Sequence, residues 1–352
     1  MLPFFGKKNS DQVGLDISSS AIKLLELSRQ GDRYRVESYG VEPLPKSMVM
    51  EKNISNVEGV GEAIARLVDR VRPHSRKAAV AVAGSAVITK IIEMDASLND
   101  DDMEEQIRME ADQYIPYPLD EVALDFAVLG PVETNPDRVR VLLAVSRIEN
   151  VEVRKDVLEI GGLVPKTVDV EAFALERAFE LIVDAVEAHE GITVVFDVGA
   201  TMTTLSVISA GQIIYSREQQ FGGQQLTEEI QRRYGQAPEE AEHAKRSGGL
   251  PDDYEMEVLA PFRDALYQQL QRSLQFFYSA TTFREINRVV LAGGTAGIKD
   301  LNHHLEDKLG VPVVLANPFV NMSISSRVNA ALLSNDASSL MVVCGLALRS
   351  FD

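Results

Sequence analysis

Three things are scarce in this sequence, and each scarcity excludes something. Cysteine occurs once among 352 residues, at Cys344 inside the apolar run LMVVCGLAL. One thiol builds no disulfide framework and no cysteine metal cluster. In such a run it reads as a small core residue, and the redox setting it implies is the cytoplasm. Positive charge is the second shortage: 35 Lys and Arg stand against 53 Asp and Glu, a net charge of −18. A general nucleic-acid binder needs a basic face for phosphates, and electrostatic adhesion to an anionic leaflet needs the same. Long apolar runs are the third. No stretch of about 18 apolar residues occurs, so no membrane-spanning helix is expected. The opening MLPFFGKKN has no apolar core behind it and does not read as a signal peptide. Its two phenylalanines and two lysines form either a short tail, the lead-in to a first strand, or a small membrane-touching patch. The rest, 45% hydrophobic and 25% charged, suits a soluble chain long enough for two domains.

What is present is a repeat. LDISSSAIKLLEL (15–27) aligns without a gap on FDVGATMTTLSVI (196–208) at an offset of 181 residues. Asp16 matches Asp197, Ser18 matches Gly199, and Ser20 matches Thr201. Each copy reads as strand, acid, small polar turn, strand. The offset is about half the chain, so two similar lobes facing each other are expected. A turn of Ser, Gly, Ala and Thr lets backbone N–H groups approach an anion closely, and the hydroxyls add donors. The acid before the turn repels phosphate but can hold hydrated Mg²⁺, which takes one or two carboxylates plus phosphate oxygens and water. Either hairpin alone is equally well an ordinary hairpin with an incidental Asp. The pair together points to a clamp on a polyphosphate.

A third glycine-rich stretch, RVVLAGGTAGIKDLNHHLEDKLGVPV (288–313), reads as buried strand, Gly-Gly-Thr turn, helix and strand. A glycine turn at a helix start lets backbone lie against a nucleotide. There is no GxxxxGK[ST], which excludes a P-loop protein, and no complete GxGxxG; the GVG at 59–61 sits on a helical pattern and reads as packing. In EEAEHAKRSGG (239–249), Glu242, Lys245 and Arg246 share one helix face. That spacing is either a ligand pair or a solvated, salt-bridged helix.

These stretches, in this order, resemble the superfamily of actin, heat-shock chaperones and sugar kinases. The resemblance implies an α/β, two-lobed actin-like (ribonuclease-H-like) ATPase fold that binds ATP and Mg²⁺. GLDISSSAIKLLELS, the EPLP at 42–45, the EKNI at 51–54, IPYPLDEVALDF (115–126) and FDVGATMTTLSV together resemble, over essentially the whole chain, a narrower group. This is the PilM family, actin-like cytoplasmic proteins of type IV pilus assembly in the FtsA-like branch. By that resemblance Asp16 and Asp197 hold Mg²⁺ through water. Ser18, Ser19, Ser20, Lys23, Gly199, Ala200 and Thr201 contact phosphates. Gly222, Gly223, Glu242, Lys245, Gly293, Gly294 and Thr295 lie at the adenosine and ribose. Glu171 either orients an attacking water or is simply an acid stabilised at a helix N-terminus. The implied partner is the N-terminal cytoplasmic peptide of PilN, a single-span inner-membrane protein. Tyr114, Tyr117 and Leu119 are the candidate groove residues. The chain ends where an FtsA-like protein would continue into a membrane helix, so any membrane attachment is expected to be indirect.

The expected organisation is lobe I at 1–84, an inserted small α+β (SHS2-like) interaction subdomain at 85–165, and a connecting segment at 166–191. Lobe II follows at 192–326, with a helical subdomain at about 222–285, and a return helix at 327–352. Residues 57–71 and 168–186 have apolar positions at helical spacing. Leu259 to Phe277 predicts a core helix. Two other functions stay open: a metabolite kinase of the same superfamily, though residues 28–84 show no sugar loop, and an actin-like filament former.

Overall fold

Lobe I begins as a meander. In the computed structural model, which describes residues 8–9, 12–110, 113 and 115–351, β1 (Lys8–Asn9) precedes β2 (Val13–Ile17), β3 (Ala21–Gln30) and β4 (Arg33–Pro43). A small hairpin of β5 (Val49–Met50) and β6 (Asn53–Ile54) follows, then α1 (Val57–Val71) and β7 (Lys77–Val82). Helix α1 starts where Asn56 accepts the Gly59 N–H at 2.9 Å. It stops at Arg72, whose backbone is left-handed (φ 50°) and whose N–H returns to the Val68 carbonyl. Between these caps Val60, Ala63, Ile64, Leu67 and Val68 form the buried stripe that the spacing predicted.

The inserted module comprises β8 (Val87–Asp95), α2 (Asp100–Glu110), β9 (Val122–Val132) and β10 (Asn135–Arg147). Its antiparallel sheet has the order β8-β10-β9. Met103 and Ile107 of α2 pack on Ile92, Met94, Val141 and Leu143 of one sheet face. Helix α3 (Ile148–Ile160) does not belong to this module, contrary to the expected boundary at 165. Its Val157 and Leu158, with Leu163, join Val60, Ile64 and Leu67 in the lobe I core. A Cβ on Gly61 would lie 2.3 Å from Ile160 Cγ2, so α1 and α3 touch closely there. The module is therefore residues 87–147, and lobe I resumes at Ile148.

Strand β11 (Val164–Val170) pairs parallel with β7 and leads into α4 (Glu171–Glu180). The expected helix through 186 is cut short: residues 181–187 are turns. Ile182 and Val186 remain buried, so the apolar spacing served packing rather than helix length.

Lobe II repeats the opening meander with β12 (Ile192–Val198), β13 (Thr203–Ser209) and β14 (Gln212–Gln219). Then come α5 (Gly223–Tyr234), α6 (Pro238–Ser247), α7 (Ala260–Ala280), β15 (Arg288–Ala292), α8 (Leu301–Leu309) and β16 (Val313–Leu315). The sheet order is β14-β13-β12-β15-β16. Phe262, Leu266, Leu270, Leu274 and Phe277 of α7 lie in one core with Val194, Phe196, Leu205 and Leu291.

The chain returns to lobe I earlier than residue 327, because β17 (Ser323–Ile324) already pairs with β4. This completes the sheet β11-β7-β2-β3-β4-β17, with β1 on β3. Helices α9 (Ala330–Asp336) and α10 (Met341–Leu348) close the fold. Val343, Cys344, Ala347 and Leu348 share a core with Leu25 and Phe179 of lobe I and Val195 and Val290 of lobe II. That shared core is what fixes one lobe against the other at the base of the cleft. Among the described residues, no single helix is long and apolar enough to cross a membrane.

Candidate functional site

The repeat in sequence is a repeat in register. Asp16 pairs across its hairpin with Lys23, and Asp197 pairs with Thr204, so the offset of 181 holds on both strands. The turns close alike as well. The Ser18 N–H donates to the Ala21 carbonyl at 2.9 Å, and the Gly199 N–H donates to the Met202 carbonyl at 2.9 Å. The two turns face each other across the cleft, where the Thr201 hydroxyl donates to Ser19 Oγ at 2.9 Å. Ser19 and Thr201, one from each predicted turn, therefore meet across the gap between the lobes. The Ser18 hydroxyl is partly spent on its own turn, bonding the Ala21 carbonyl at 2.9 Å.

Beneath the turns lies a floor of opposed charges. Lys23 Nζ donates to Asp16 Oδ2 at 2.9 Å. Burial alone would lower the Lys23 pKa, but Asp16, Asp197 and Glu171 outweigh it and hold the ammonium above its ordinary value. Glu171, the first residue of α4, sits at 2.6 Å from Lys52 Nζ. Lys52 also reaches Glu218 Oε1 at 2.8 Å and Thr204 Oγ1 at 3.3 Å. Burial pushes the carboxyls of Glu171 and Asp197 above the usual carboxylate range, against the pull of Lys52 and, for Asp197, also Lys23. Four carboxylates thus share two ammonium groups.

The far rim is built from the remaining glycines. Gly293 has φ +90°, and a Cβ there would lie 2.3 Å from the Val198 carbonyl and 2.5 Å from Asp197 Oδ1. Only glycine lets the turn after β15 lie against the acid of the second hairpin. Gly294 instead borders open space. The Gly199 carbonyl accepts from both Thr295 Oγ1 at 2.8 Å and the Gly223 N–H at 3.0 Å. The Gln224 N–H bonds the Ala200 carbonyl at 2.8 Å. So Gly223, Gln224 and Thr295 brace the second hairpin turn from behind, and Gly222 lies against it, where a Cβ would stand 2.4 Å from the Ala200 carbonyl. Lys245 Nζ bonds Glu242 Oε2 at 2.6 Å, Thr227 Oγ1 at 2.9 Å and the Gly223 carbonyl at 3.2 Å. Burial holds the Lys245 ammonium below its usual pKa. Burial would raise Glu242, but the hydrogen bonds from Lys245 and Thr227 and the charge of Lys245 and Arg246 hold it down. In the structure this pair ties α6 to the N-terminus of α5.

The candidate groove residues fare differently. Tyr114 lies outside the described residues. Tyr117 and Leu119 pack on Ile115, Val122 and Val145 of the inserted module, and the Arg147 guanidinium lies 4.7 Å over the Tyr117 ring. Both are half-buried against this small satellite cluster.

The model of the type IV pilus assembly protein PilM family matches residues 14–351. The chain belongs to the PilM family. A solved PilM-PilN type IV pilus biogenesis complex is 30% identical, with a TM-score of 0.79, and the match covers 98% of this chain and 99% of that one. The ethanolamine utilization protein EutJ from Carboxydothermus hydrogenoformans is 17% identical, with a TM-score of 0.58 and 96% and 89% covered. MreB 5 of Spiroplasma citri, bound to AMPPNP, is 12% identical, with a TM-score of 0.48 and 95% and 93% covered. The fold is the two-lobed actin-like one that the family resemblance implied.

Two residues of this PilM-family cleft escaped sequence reasoning, Lys52 and Glu218. Lys52 lies in the EKNI stretch, which carried the family resemblance but no chemistry of its own. Its partners lie 119 and 166 residues away, so no spacing signals them. What places Lys52 is backbone conformation: Glu51 and Lys52 both have positive φ, 48° and 65°.

Proposed function

We propose that the chain is a nucleotide-binding scaffold of type IV pilus assembly that docks the N-terminal cytoplasmic peptide of PilN and reaches the inner membrane through it. Family membership and the related PilM-PilN complex support the partner. The observation that carries nucleotide binding is the pair of matched hairpin turns meeting at Ser19 and Thr201. In this reading Ser18, Ser19, Ser20, Gly199, Ala200 and Thr201 receive the phosphates of ATP. Gly293, Gly294 and Thr295 receive the adenosine, and Glu242 and Lys245 its ribose. Lys23 leaves Asp16 for the β-phosphate.

The site also fits Mg²⁺. Four carboxylates against two ammonium groups leave a surplus of negative charge for a cation. No cage of three His, Cys, Asp or Glu side chains exists among the described residues. That suits an ion held through water by Asp16 and Asp197 and by phosphate oxygens, supplying charge neutralisation there. Turnover is slow in this reading, because Glu171 is tied to Lys52 rather than free to orient water. The inserted module at 87–147 offers the protein-contact surface beside lobe I.

The test is fluorescence anisotropy of a labelled PilN N-terminal peptide against the purified chain, with and without ATP–Mg²⁺. Saturable binding at micromolar or tighter affinity supports the scaffold, and a nucleotide effect on it ties the cleft to docking. Absence of binding in both conditions removes the scaffold reading.

A further inference from the structure

The β5–β6 hairpin does something its position in lobe I does not require: it crosses to lobe II. Its two turn residues, Glu51 and Lys52, have φ of 48° and 65°, and they stand between the paired residues Met50 and Asn53. A two-residue hairpin turn with both φ positive belongs to glycine and asparagine. Non-glycine residues hold it only where the surroundings over-determine it. Here they do. The buried guanidinium of Arg154 donates to the Lys52 carbonyl at 3.3 Å and to the Ala81 carbonyl at 2.5 Å, anchoring the turn to lobe I. The side chains then point the other way. Lys52 bonds Glu218 and Thr204 of lobe II, and Glu51 accepts a hydrogen bond from Gln220. Lys46, just before the hairpin, lies 4.0 Å from Glu228. All of these partners lie on β13, on β14, in the short loop that follows it, or on α5.

We infer that this hairpin is a latch between the lobes: the Lys52 ammonium, shared by Glu171 of lobe I and Glu218 of lobe II, ties one lobe to the other across the cleft. The ammonium is half of the link and Glu218 is the separable arm. Lys52 keeps Glu171 on its own side whether or not lobe II is near. An entering polyphosphate competes with Glu218 for the same ammonium, so occupancy releases the latch and puts the ligand in its place as the bridge. That exchange rests on the nucleotide reading above; the tie between the lobes does not.

The experiment uses the full chain with spin labels at Glu62→Cys on α1 and Glu239→Cys on α6, both exposed, while Cys344 is buried and stays unlabelled. Inter-label distances are measured by pulsed electron resonance without nucleotide, in the parent and with Glu218→Gln. The expected result is one short distance in the parent and a longer, broader distribution in Glu218→Gln. Affinity for a fluorescent ADP analogue should also rise roughly tenfold in that variant, because the carboxylate that competes with the phosphates for Lys52 has lost its charge. Gln220→Ala, which cuts only the neighbouring contact, should open the cleft less and serves if Glu218→Gln fails to fold. Unchanged ligand-free distances in both variants overturn the latch. A parent that binds no nucleotide overturns the nucleotide reading, while the distances still judge the latch.

Discussion

Adjacent glycines at the proposed adenosine rim separate stability from binding. Gly293→Ala places a methyl 2.3 Å from the Val198 carbonyl and 2.5 Å from Asp197 Oδ1, on a backbone at φ +90°. Positive φ costs an L-residue about 1–2 kcal/mol. Forcing a methylene-sized group into packed backbone costs about 1–3 kcal/mol more. Together the loss is about 2–5 kcal/mol, a large share of the roughly 5–15 kcal/mol that a domain has. Gly294→Ala meets no atom within 4 Å, so its stability should stay within about 0.5 kcal/mol of the parent. Its methyl would instead stand in the space assigned to adenosine. Urea unfolding followed by linear extrapolation gives the first quantity, and titration of a fluorescent ATP analogue gives the second. Gly294→Ala should bind nucleotide more weakly while folding normally. The reasoning fails if Gly293→Ala unfolds like the parent, or if Gly294→Ala is the less stable of the two.

Asp197→Asn should melt higher than the parent at pH 8 without ligand and lose Mg²⁺-nucleotide binding. Burial raises this carboxyl's folded pKa, so its ionised form costs stability as pH rises through that value and costs nothing below the unfolded pKa. The gain should be present at pH 8 and shrink toward pH 4 in thermal melts; a lower melting point at pH 8 refutes it. Glu242→Gln weakens the tie between α5 and α6 and should cost about 1 kcal/mol, since the Glu242 side chain is 40% exposed and partly screened. Its carboxyl is held below the ordinary glutamate value, so the difference from the parent should be full above that range and vanish as acid protonates it. Equal denaturant midpoints at pH 7 would dismiss that role. Gly61→Ala, with its Cβ 2.3 Å from Ile160 Cγ2, should cost about 1–3 kcal/mol. Ile160→Ala in the same chain should recover much of it; additive losses in that cycle would show the two do not touch in solution.

Legibility followed the range of the interaction. Helix α1 was readable because its apolar stripe repeats within fifteen residues, while the Asn56 cap and the left-handed stop at Arg72 emerged only in the structure. The hairpins were readable because an acid, a small turn and an alternating strand are local chemistry, and because the pattern occurs twice. The loyalty of α3 was not. Its contacts run to Gly61 and Ile64, far back along the chain, and nothing in its own spacing says which neighbour it packs on. The glycine turn at 293 was visible as a motif, but its reason, the carboxylate of Asp197 beneath it, was not.

The least legible part is also where the two halves differ most. In the first hairpin the position opposite the acid is Lys23, so Asp16 carries its own counter-ion on the next strand. In the second hairpin that position is Thr204. The Thr204 hydroxyl receives instead the ammonium of Lys52, which arrives from the other lobe and also pulls on the Asp197 carboxyl. One half of the repeat is electrostatically self-sufficient, and the other borrows its charge across the cleft. A change in lobe separation therefore changes the charge around Asp197, and a change in the charge around Asp197 acts on lobe separation. The coupling is reciprocal, as any free-energy coupling between two sites must be. A duplicated hairpin with a lysine in both copies would bind an anion just as well, but it would have no electrostatic reason to close.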